Sequence, residues 1–198
     1  MPRIYRFVLL LAVVYVAPVV AILAGVLPFA WRFRILVAIA LVMVVFARLR
    51  GHRPRDLGIR SDNLRGALIA HGALSAVLVA LLGLASYAHL IRAPTPPDWS
   101  LFYLFYVFVS SPAQEFLYRG LIFAEMNAAG IASPLAQVLI SAANYCFLHA
   151  IYRDSLTLAV TLALGLIWGA IYRRLPNLWA VSLSHAVLGA ISIAVGVI

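Results

Sequence analysis

The sequence predicts an all-α, polytopic transmembrane helix bundle of about seven spans (roughly six to eight) around an intramembrane polar cavity. Of its 198 residues, 65% are hydrophobic and 11% are charged, and the mean hydropathy is +1.04. A soluble domain carries about 25% charged residues, so this chain is too poor in charge to cover a surface in water. The composition also excludes intrinsic disorder. Because Cys146 is the only cysteine, a disulfide scaffold is excluded too.

Apolar runs recur along the chain at lengths near the roughly 20 residues that a spanning helix needs. They lie near residues 7–30, 33–48, 66–91, 99–126, 133–152, 156–172 and 178–198. No internal repeat or shift in composition separates these runs, so residues 1–198 are predicted to form a single integral membrane domain. The proline-rich segment 93–98 is expected to be a rigid connector at the outer face.

The distribution of charge predicts an orientation. All 15 basic residues are arginine, and the formal net charge is +9. The arginines lie between apolar runs rather than in one patch, which favours the positive-inside pattern over nucleic-acid binding. With the N-terminus inside, ten arginines fall in inner loops and four in outer loops, and Arg119 lies within a span. We therefore expect a cytoplasmic N-terminus, a lipid bilayer as partner and no nucleic acid.

Ionisable residues within spans are the candidate functional residues, because each costs at least about 2.5–3.5 kcal/mol on insertion scales. Glu115 and Arg119 lie four residues apart on one helix, so they share a face and can pair. His149 and His185 lie in two other spans. A structural ion pair with two packing histidines is the alternative reading, but ionisable groups from three spans favour a shared site. The remaining histidines are interpreted as structural or solvated: His52, His71 and His89.

The segment before Glu115 resembles the start of a helix. Residues 110–114 read Ser-Ser-Pro-Ala-Gln, which has Ser, Pro and Gln at the N-cap, N1 and N3 spacing. At 1.5 Å per residue, Glu115 lies about 24 Å from the outer end of a straight 99–126 helix, and His149 about 5 Å from the outer end of its own helix. The two can meet only if the fourth span is broken, tilted or interfacial before Pro112, and we expect a break.

Other chemistries fit the pattern less well. Two histidines and a glutamate could bind zinc, but the sequence has no H-E-x-x-H motif, and Cys146 has no second cysteine near it. A serine hydrolase is disfavoured because no G-x-S-x-G motif occurs and no aspartate lies near either histidine. The sequence therefore predicts neither a metal nor a cofactor. Gly165 and Gly169 have the spacing of a helix-packing motif.

Three short motifs, in order, resemble those of the CPBP family. They are Q-E-F-L-Y-R-G at 114–120, Y-x-x-x-H at 145–149, and His185; the family pattern is E-E-x-x-x-R, F-x-x-x-H and H-x-x-x-N/D. The family includes CAAX prenyl endopeptidases, bacteriocin-processing or immunity proteins, and "abortive infection" proteins. The resemblance covers a catalytic core over residues 99–193. It implies an all-α bundle around a water-filled cavity, and we expect it to lie in a bacterial inner membrane.

The resemblance also implies an activity. Better-studied members are intramembrane glutamic-type endopeptidases, in which a Glu and a His activate water. Such an enzyme would hydrolyse a peptide bond of a membrane-associated or C-terminally anchored substrate. Carried over residue by residue, the catalytic set is Glu115, Arg119, His149 and His185, with Gln114 at the position of the first Glu. We expect Glu115 to act as the base, His149 to share the proton or steer the water, and His185 to donate to the oxyanion.

Three positions depart from the family pattern. Gln114 replaces the first Glu, which is the family's usual base, and Gln can orient a water but cannot take its proton. Tyr145 replaces the Phe. Gly189 replaces the Asn or Asp, so it supplies no side-chain donor for the oxyanion.

Candidates for the missing substrate or oxyanion contact are therefore Tyr145, Asn144 and Ser192. Ser192 lies seven residues beyond His185, on the same helix face.

Two further functions remain open alongside proteolysis. One is a non-proteolytic relative, an immunity or scaffold protein that binds another membrane protein through the same cavity; Gln114 and Gly189 favour it. The other is an acyltransferase-like enzyme that acts on a lipoprotein amine. The predicted partner in each case is a membrane-anchored peptide or protein, and no feature of the sequence predicts an oligomeric state.

Overall fold

The fold is seen in a computed structural model that describes residues 2–91, 93–94, 97 and 99–197. Over these residues the regular secondary structure is entirely helical. Six helices are long and apolar enough to cross a membrane, judged by length and composition. The predicted all-α transmembrane bundle is therefore confirmed. The predicted connector at 93–98 falls partly outside the described residues.

Each predicted span corresponds to one helical stretch, with shifted ends. In chain order they are α1 (Arg3–Leu23), α2 (Phe29–Leu49), α3 (Leu64–Tyr87), α4 (102–128), α5 (Pro134–Tyr152), α6 (Ser155–Arg174) and α7 (Leu178–Val195). α4 is the central helix, since every residue from 114 to 126 is buried. The outer helices present apolar side chains to the exterior, such as Leu41 at 65% exposure and Val77 at 58%. This surface suits a lipid environment rather than water.

Short polar caps set where three of the helices begin. Ser133 Oγ accepts from the Ala136 amide at 3.3 Å at the start of α5. Asp154 does the same for α6, at 3.0 Å from the Thr157 nitrogen. Asn177 caps α7. These side chains satisfy amide groups that the first turn of a helix leaves without partners.

α4 runs through Pro112 without a break, so the predicted interruption is wrong. Ser110 has helical angles (φ −65°, ψ −52°) and makes no side-chain cap. The π-helical segment Tyr106–Ser110 ends two residues before Pro112. Wider turns there accommodate a residue that lacks an amide proton and crowds the preceding carbonyl. α1 uses the same device, since its π segment Leu11–Val16 ends two residues before Pro18.

Glycines allow α5 and α6 to approach closely. A Cβ at Gly165 would lie 3.1 Å from the Ala142 Cα, and a Cβ at Gly169 would lie 3.4 Å from a Val138 methyl group. The spacing of the two glycines thus marks a helix contact, as their pattern predicted. This contact brings Trp168 of α6 towards the centre of the bundle, where it is 1% exposed.

The loop between α2 and α3 folds over one end of the bundle. Gly58 has a left-handed φ of 77°, and its carbonyl accepts from the Leu178 amide at 2.8 Å. Asn177 Nδ2 donates to the Arg60 carbonyl and to Asn63 Oδ1, each at 2.9 Å. The loop thereby fixes the junction between α6 and α7, which positions the first turns of α7.

The same loop binds the end of α4. Glu125 accepts from Arg50 at 3.2 and 3.3 Å and lies 2.6 Å from His52 Nε2. His52 was interpreted as structural or solvated, and its side chain, 11% exposed, is structural. Elsewhere in this loop, a hydrogen bond from Arg60 lowers the pKa of the Asp62 carboxyl to about 2. This exposed pair therefore stays ionised at neutral pH.

Gly58 generates a prediction about stability. Replacing Gly58 by Ala strains a left-handed backbone, at about 1–2 kcal/mol, and places a Cβ on the Tyr172 hydroxyl, with the Leu178 nitrogen 3.1 Å away. Overpacking of this kind adds about 1–3 kcal/mol. The expected result is a lower midpoint of thermal unfolding in detergent.

Gly51→Ala is the matched control. Gly51 has a similar φ of 79°, but nothing lies within 4 Å of the position its Cβ would take. It should therefore lose only the backbone contribution. Equal losses for the two variants would show that the contact with Tyr172 does not constrain the loop.

Candidate active site

The polar centre of the bundle is built on a single carboxylate in α4. Glu115 and Arg119 are both 0% exposed, and Arg119 Nη1 donates to Glu115 Oε1 at 3.1 Å. Their i,i+4 spacing places both on one helical face, as the sequence indicated. An unpaired charge would be very costly here, so each residue makes the burial of the other tolerable.

Aromatic rings surround the Arg119 guanidinium. Its central carbon lies 4.3 Å from the ring centroid of Tyr145 and 5.5 Å from that of Trp168. These faces supply cation–π attraction to a fully buried guanidinium. The Nε and Nη2 atoms of Arg119 have no hydrogen-bond partner among the described residues. The guanidinium is therefore held in place, but two of its nitrogen atoms have unused hydrogen-bond donors.

His185 of α7 is the second partner of the carboxylate. Its Nδ1 lies 2.6 Å from Glu115 Oε1, while Oε2 has no partner among the described residues. Trp168 stacks on the imidazole with ring centroids 5.0 Å apart and planes 24° apart. The Trp168 indole is held in turn by Ser184 Oγ, to which Nε1 donates at 3.0 Å. One oxygen of Glu115 thus joins α4 to α7.

Two hydroxyl groups converge on the other side of His185. Tyr106 Oη lies 3.1 Å from Nε2, and Tyr145 Oη lies 3.4 Å from it. When Glu115 is ionised, Nδ1 carries the proton and donates to it, which leaves Nε2 as an acceptor. A carboxylate, an imidazole and a hydroxyl then form a chain in the order used for general acid–base catalysis.

His149 lies beside this chain rather than in it. Its Nδ1 donates to the Tyr145 carbonyl at 2.9 Å, and its ring packs against Tyr145 with centroids 4.8 Å apart. His185 packs against the same Tyr145 ring at 5.7 Å. The histidine bonded to Glu115 is therefore His185, and Tyr145 lies between the two histidines. The sequence predicted that Glu115 would meet His149 through a break in α4. α4 is continuous instead, and a different histidine contacts Glu115.

The remaining predicted residues fall at different distances from the centre. Gln114 is 6% exposed and donates to Ser110 Oγ at 3.0 Å, with Oε1 unpartnered among the described residues. Asn144 uses its amide on the Ile140 carbonyl at 2.8 Å, within its own helix. Ser192 is buried at 4% exposure. Of the three predicted contact residues, Tyr145 is the one whose side chain meets His185.

Sequence reasoning missed two residues of this centre, Tyr106 and Trp168. One signal for Tyr106 was available in Gly189, the position where the family pattern has Asn or Asp. A Cβ at Gly189 would overlap the Tyr106 hydroxyl and lie 2.7 Å from the ring carbon that carries it. Trp168 was signalled by the neighbouring Gly165 and Gly169, which mark a close helix contact.

The side chains at this centre are suited to acid–base chemistry. In the described part of the chain, no group of three or more His, Cys, Asp or Glu residues is placed to hold a metal ion. The centre instead offers one carboxylate, an imidazole whose Nε2 faces two hydroxyls, and a fixed guanidinium. This set can take a proton from a water molecule and stabilise the charge that results.

A comparison with protein families matches residues 96–191 to the family described as "Type II CAAX prenyl endopeptidase Rce1-like". The matched interval contains Glu115, Arg119, Tyr145, His149 and His185. The resemblance to the CPBP family is therefore confirmed over this region. Comparisons with curated proteins and with solved structures give no match.

The buried ion pair generates a second prediction about stability. Glu115→Ala leaves Arg119 buried without a counter-charge, and breaking a buried pair in this way costs about 3–5 kcal/mol. The double variant Glu115→Gln/Arg119→Met removes both charges at similar volume and should lose less. The free energy of unfolding in detergent, titrated with denaturant, would measure both.

Glu125→Ala is the control for deleting a buried carboxylate from the same helix. One of its two partners, Arg50, has a side chain that is 33% exposed, so solvent can hydrate that freed charge. The loss should be smaller than for Glu115→Ala. A double variant as unstable as the Glu115→Ala single would argue against electrostatic pairing as the source of the effect.

Proposed function

Since residues 96–191 form a CPBP-family region of the Rce1-like type, we propose that this integral membrane protein is an intramembrane endopeptidase. It hydrolyses a peptide bond of a membrane-associated or C-terminally anchored chain by means of an activated water. The observation that carries the proposal is the 2.6 Å contact between Glu115 and His185. A histidine oriented by a buried carboxylate is a competent general base.

In the proposed reaction the Glu115–His185 pair activates the water. His185 Nε2 takes a proton from a water molecule, and Glu115 stabilises the imidazolium through Nδ1. The water oxygen bonds to the carbonyl carbon, and the electron pair of the C=O π bond moves to the carbonyl oxygen. When the tetrahedral intermediate collapses, the C–N bond breaks and Nε2 returns its proton to the leaving nitrogen. No other reactant is needed.

Two residues of α4 have positioning roles in this scheme. The Arg119 guanidinium donates to Glu115 Oε1 at 3.1 Å and so fixes the carboxylate that orients the histidine. Gln114 carries a free amide oxygen, which can accept from a water without taking its proton. The proposed base is thus the Glu115–His185 pair rather than residue 114, and this role replaces the oxyanion role that the family resemblance implied for His185.

His149, which lies across Tyr145 from His185, is proposed to contact the substrate or the water. Its Nδ1–H is bound to a backbone carbonyl, so Nε2 is the nitrogen left to contact an incoming water or peptide. It can therefore steer the water, in a role secondary to that of His185.

The substrate class and the orientation follow from the surroundings of the site. A centre buried within a bundle of apolar helices is reached most readily by a chain that is itself anchored in the bilayer. The arginine distribution supports a cytoplasmic N-terminus, and we propose a bacterial inner membrane as the location. We propose a membrane-anchored peptide or protein as the partner.

Purified protein in proteoliposomes would test this function. Two probe peptides of identical sequence, one with an S-farnesyl cysteine four residues from its C-terminus and one without, are incubated with the protein. Mass spectrometry measures the released C-terminal fragment. Glu115→Gln should lower turnover by about 10²–10⁴, the contribution expected of general-base catalysis.

Glu125→Gln is the matched control, since it changes the chain's other glutamate on the same helix while leaving the Glu115–His185 pair intact. His185→Gln should lose more turnover than His149→Gln. Unchanged turnover in Glu115→Gln would falsify the proposed base. A gain in peptide mass would indicate acyl transfer, and binding of both peptides without any mass change would favour the scaffold function.

A further inference from the structure

We propose that the Tyr106 hydroxyl donates the hydrogen bond that stabilises the oxyanion, and that Gly189 provides the space for it beside His185. This inference rests on the proposed function, because it assigns a residue to the same reaction. Tyr106 belongs to none of the sequence motifs, and it reaches the centre from a part of α4 that lies two turns before Glu115.

The first observation is steric. A Cβ at position 189 would overlap the Tyr106 hydroxyl and approach two of its ring carbons to 2.7 and 2.8 Å. Real Cβ atoms do not approach this closely, so any other residue at 189 would displace the tyrosine. The absence of a side chain on α7 is therefore coupled to the presence of a hydroxyl from α4. The Tyr106 hydroxyl occupies the space that a side chain at position 189 would take.

The second observation is that Tyr106 is fixed where it stands. The residue is 7% exposed, and its ring stacks on Phe102 with centroids 5.8 Å apart and planes 24° apart. It opens the π segment Tyr106–Ser110. Since π segments shift the angular position of the residues in them, this segment helps to set where the hydroxyl lies.

The third observation concerns competition for one lone pair. Nε2 of His185 can accept one strong hydrogen bond, and Tyr106 at 3.1 Å is closer than Tyr145 at 3.4 Å. The shorter contact identifies Tyr106 as the resting partner. The reacting water must displace the Tyr106 O–H from Nε2 before His185 can take its proton. The displaced O–H can then donate to the carbonyl oxygen as that oxygen becomes negative.

Two positions from which the sequence suggested a donor do not offer one. The Asn144 amide is already bound to the Ile140 carbonyl, and residue 189 has no side chain. Tyr106 therefore supplies from α4 a donor that position 189 of α7 lacks. No proton changes owner in this contact, because the tyrosine donates a hydrogen bond and keeps its hydrogen.

Tyr106→Phe is the direct test. Loss of one oxyanion donor should lower kcat by about 10²–10³, with little change in KM because the contact strengthens only in the transition state. Tyr103→Phe removes a hydroxyl from the same helix at a residue that is 38% exposed. It should leave both constants unchanged. An unaltered kcat in Tyr106→Phe overturns the proposal.

An exchange of side chains tests the shared position. Tyr106→Ala vacates the space, and adding Gly189→Asn places a donor there from α7. The double variant should recover turnover by about tenfold over Tyr106→Ala alone. Gly189→Asn alone should be inactive or poorly folded, because the tyrosine still occupies the space. A double variant no better than Tyr106→Ala would contradict the assignment.

The contact itself can be read without turnover. In protein labelled with ¹⁵N-histidine, the Nε2 signal of His185, assigned by its loss in His185→Gln, should shift in Tyr106→Phe and not in Tyr103→Phe. No shift overturns the proposal. If Glu115→Gln abolishes cleavage while Tyr106→Phe does not, this inference fails and the proposed function stands. If the wild-type protein cleaves neither peptide, the proposed function fails, and the oxyanion role fails with it.

Discussion

The structure depends on one oxygen atom, Oε1 of Glu115, which binds both Arg119 and His185. A carboxylate in the middle of an apolar bundle is tolerated only when it is paired. Arg119 provides the charge, and the rings of Tyr145 and Trp168 cover the guanidinium. Helices α4, α5, α6 and α7 therefore meet around this atom because each supplies a group that the buried ion pair requires.

Close packing then determines which side chains can reach the pair. Gly165 brings α6 against α5, which places Trp168 on the face of His185. Gly189 leaves space on α7 that a tyrosine of α4 fills. Small residues in membrane helices usually favour contact between backbones. In this bundle they also admit large polar aromatic side chains, so the same packing that holds the helices together assembles the polar centre.

The sequence predicted the bundle and part of its centre for identifiable reasons. Long apolar runs specify spans, and the spacing of Glu115 and Arg119 specifies a shared face. Other features depend on three-dimensional geometry that the spacing of residues along the sequence does not predict. A π segment absorbs Pro112, although the local residues resemble a helix start. Whether Glu115 meets His149 or His185 depends on the depth of each side chain across three helices. In the sequence, Gly189 indicated only the loss of a side-chain hydrogen-bond donor, because the tyrosine that fills its space lies 83 positions earlier in the chain.

The departures from the family pattern need not imply a purely structural role. A structural ion pair would be most stable with every polar atom bonded. Here Glu115 Oε2 and two nitrogens of Arg119 lack partners among the described residues, in a bundle where each such atom is costly. Nε2 of His185 faces two hydroxyls although it can accept only one strong hydrogen bond. Unused hydrogen-bonding capacity around a well-fixed carboxylate is typical of a site that receives a polar ligand. A water and a peptide carbonyl would satisfy these groups, which favours hydrolysis over a scaffold.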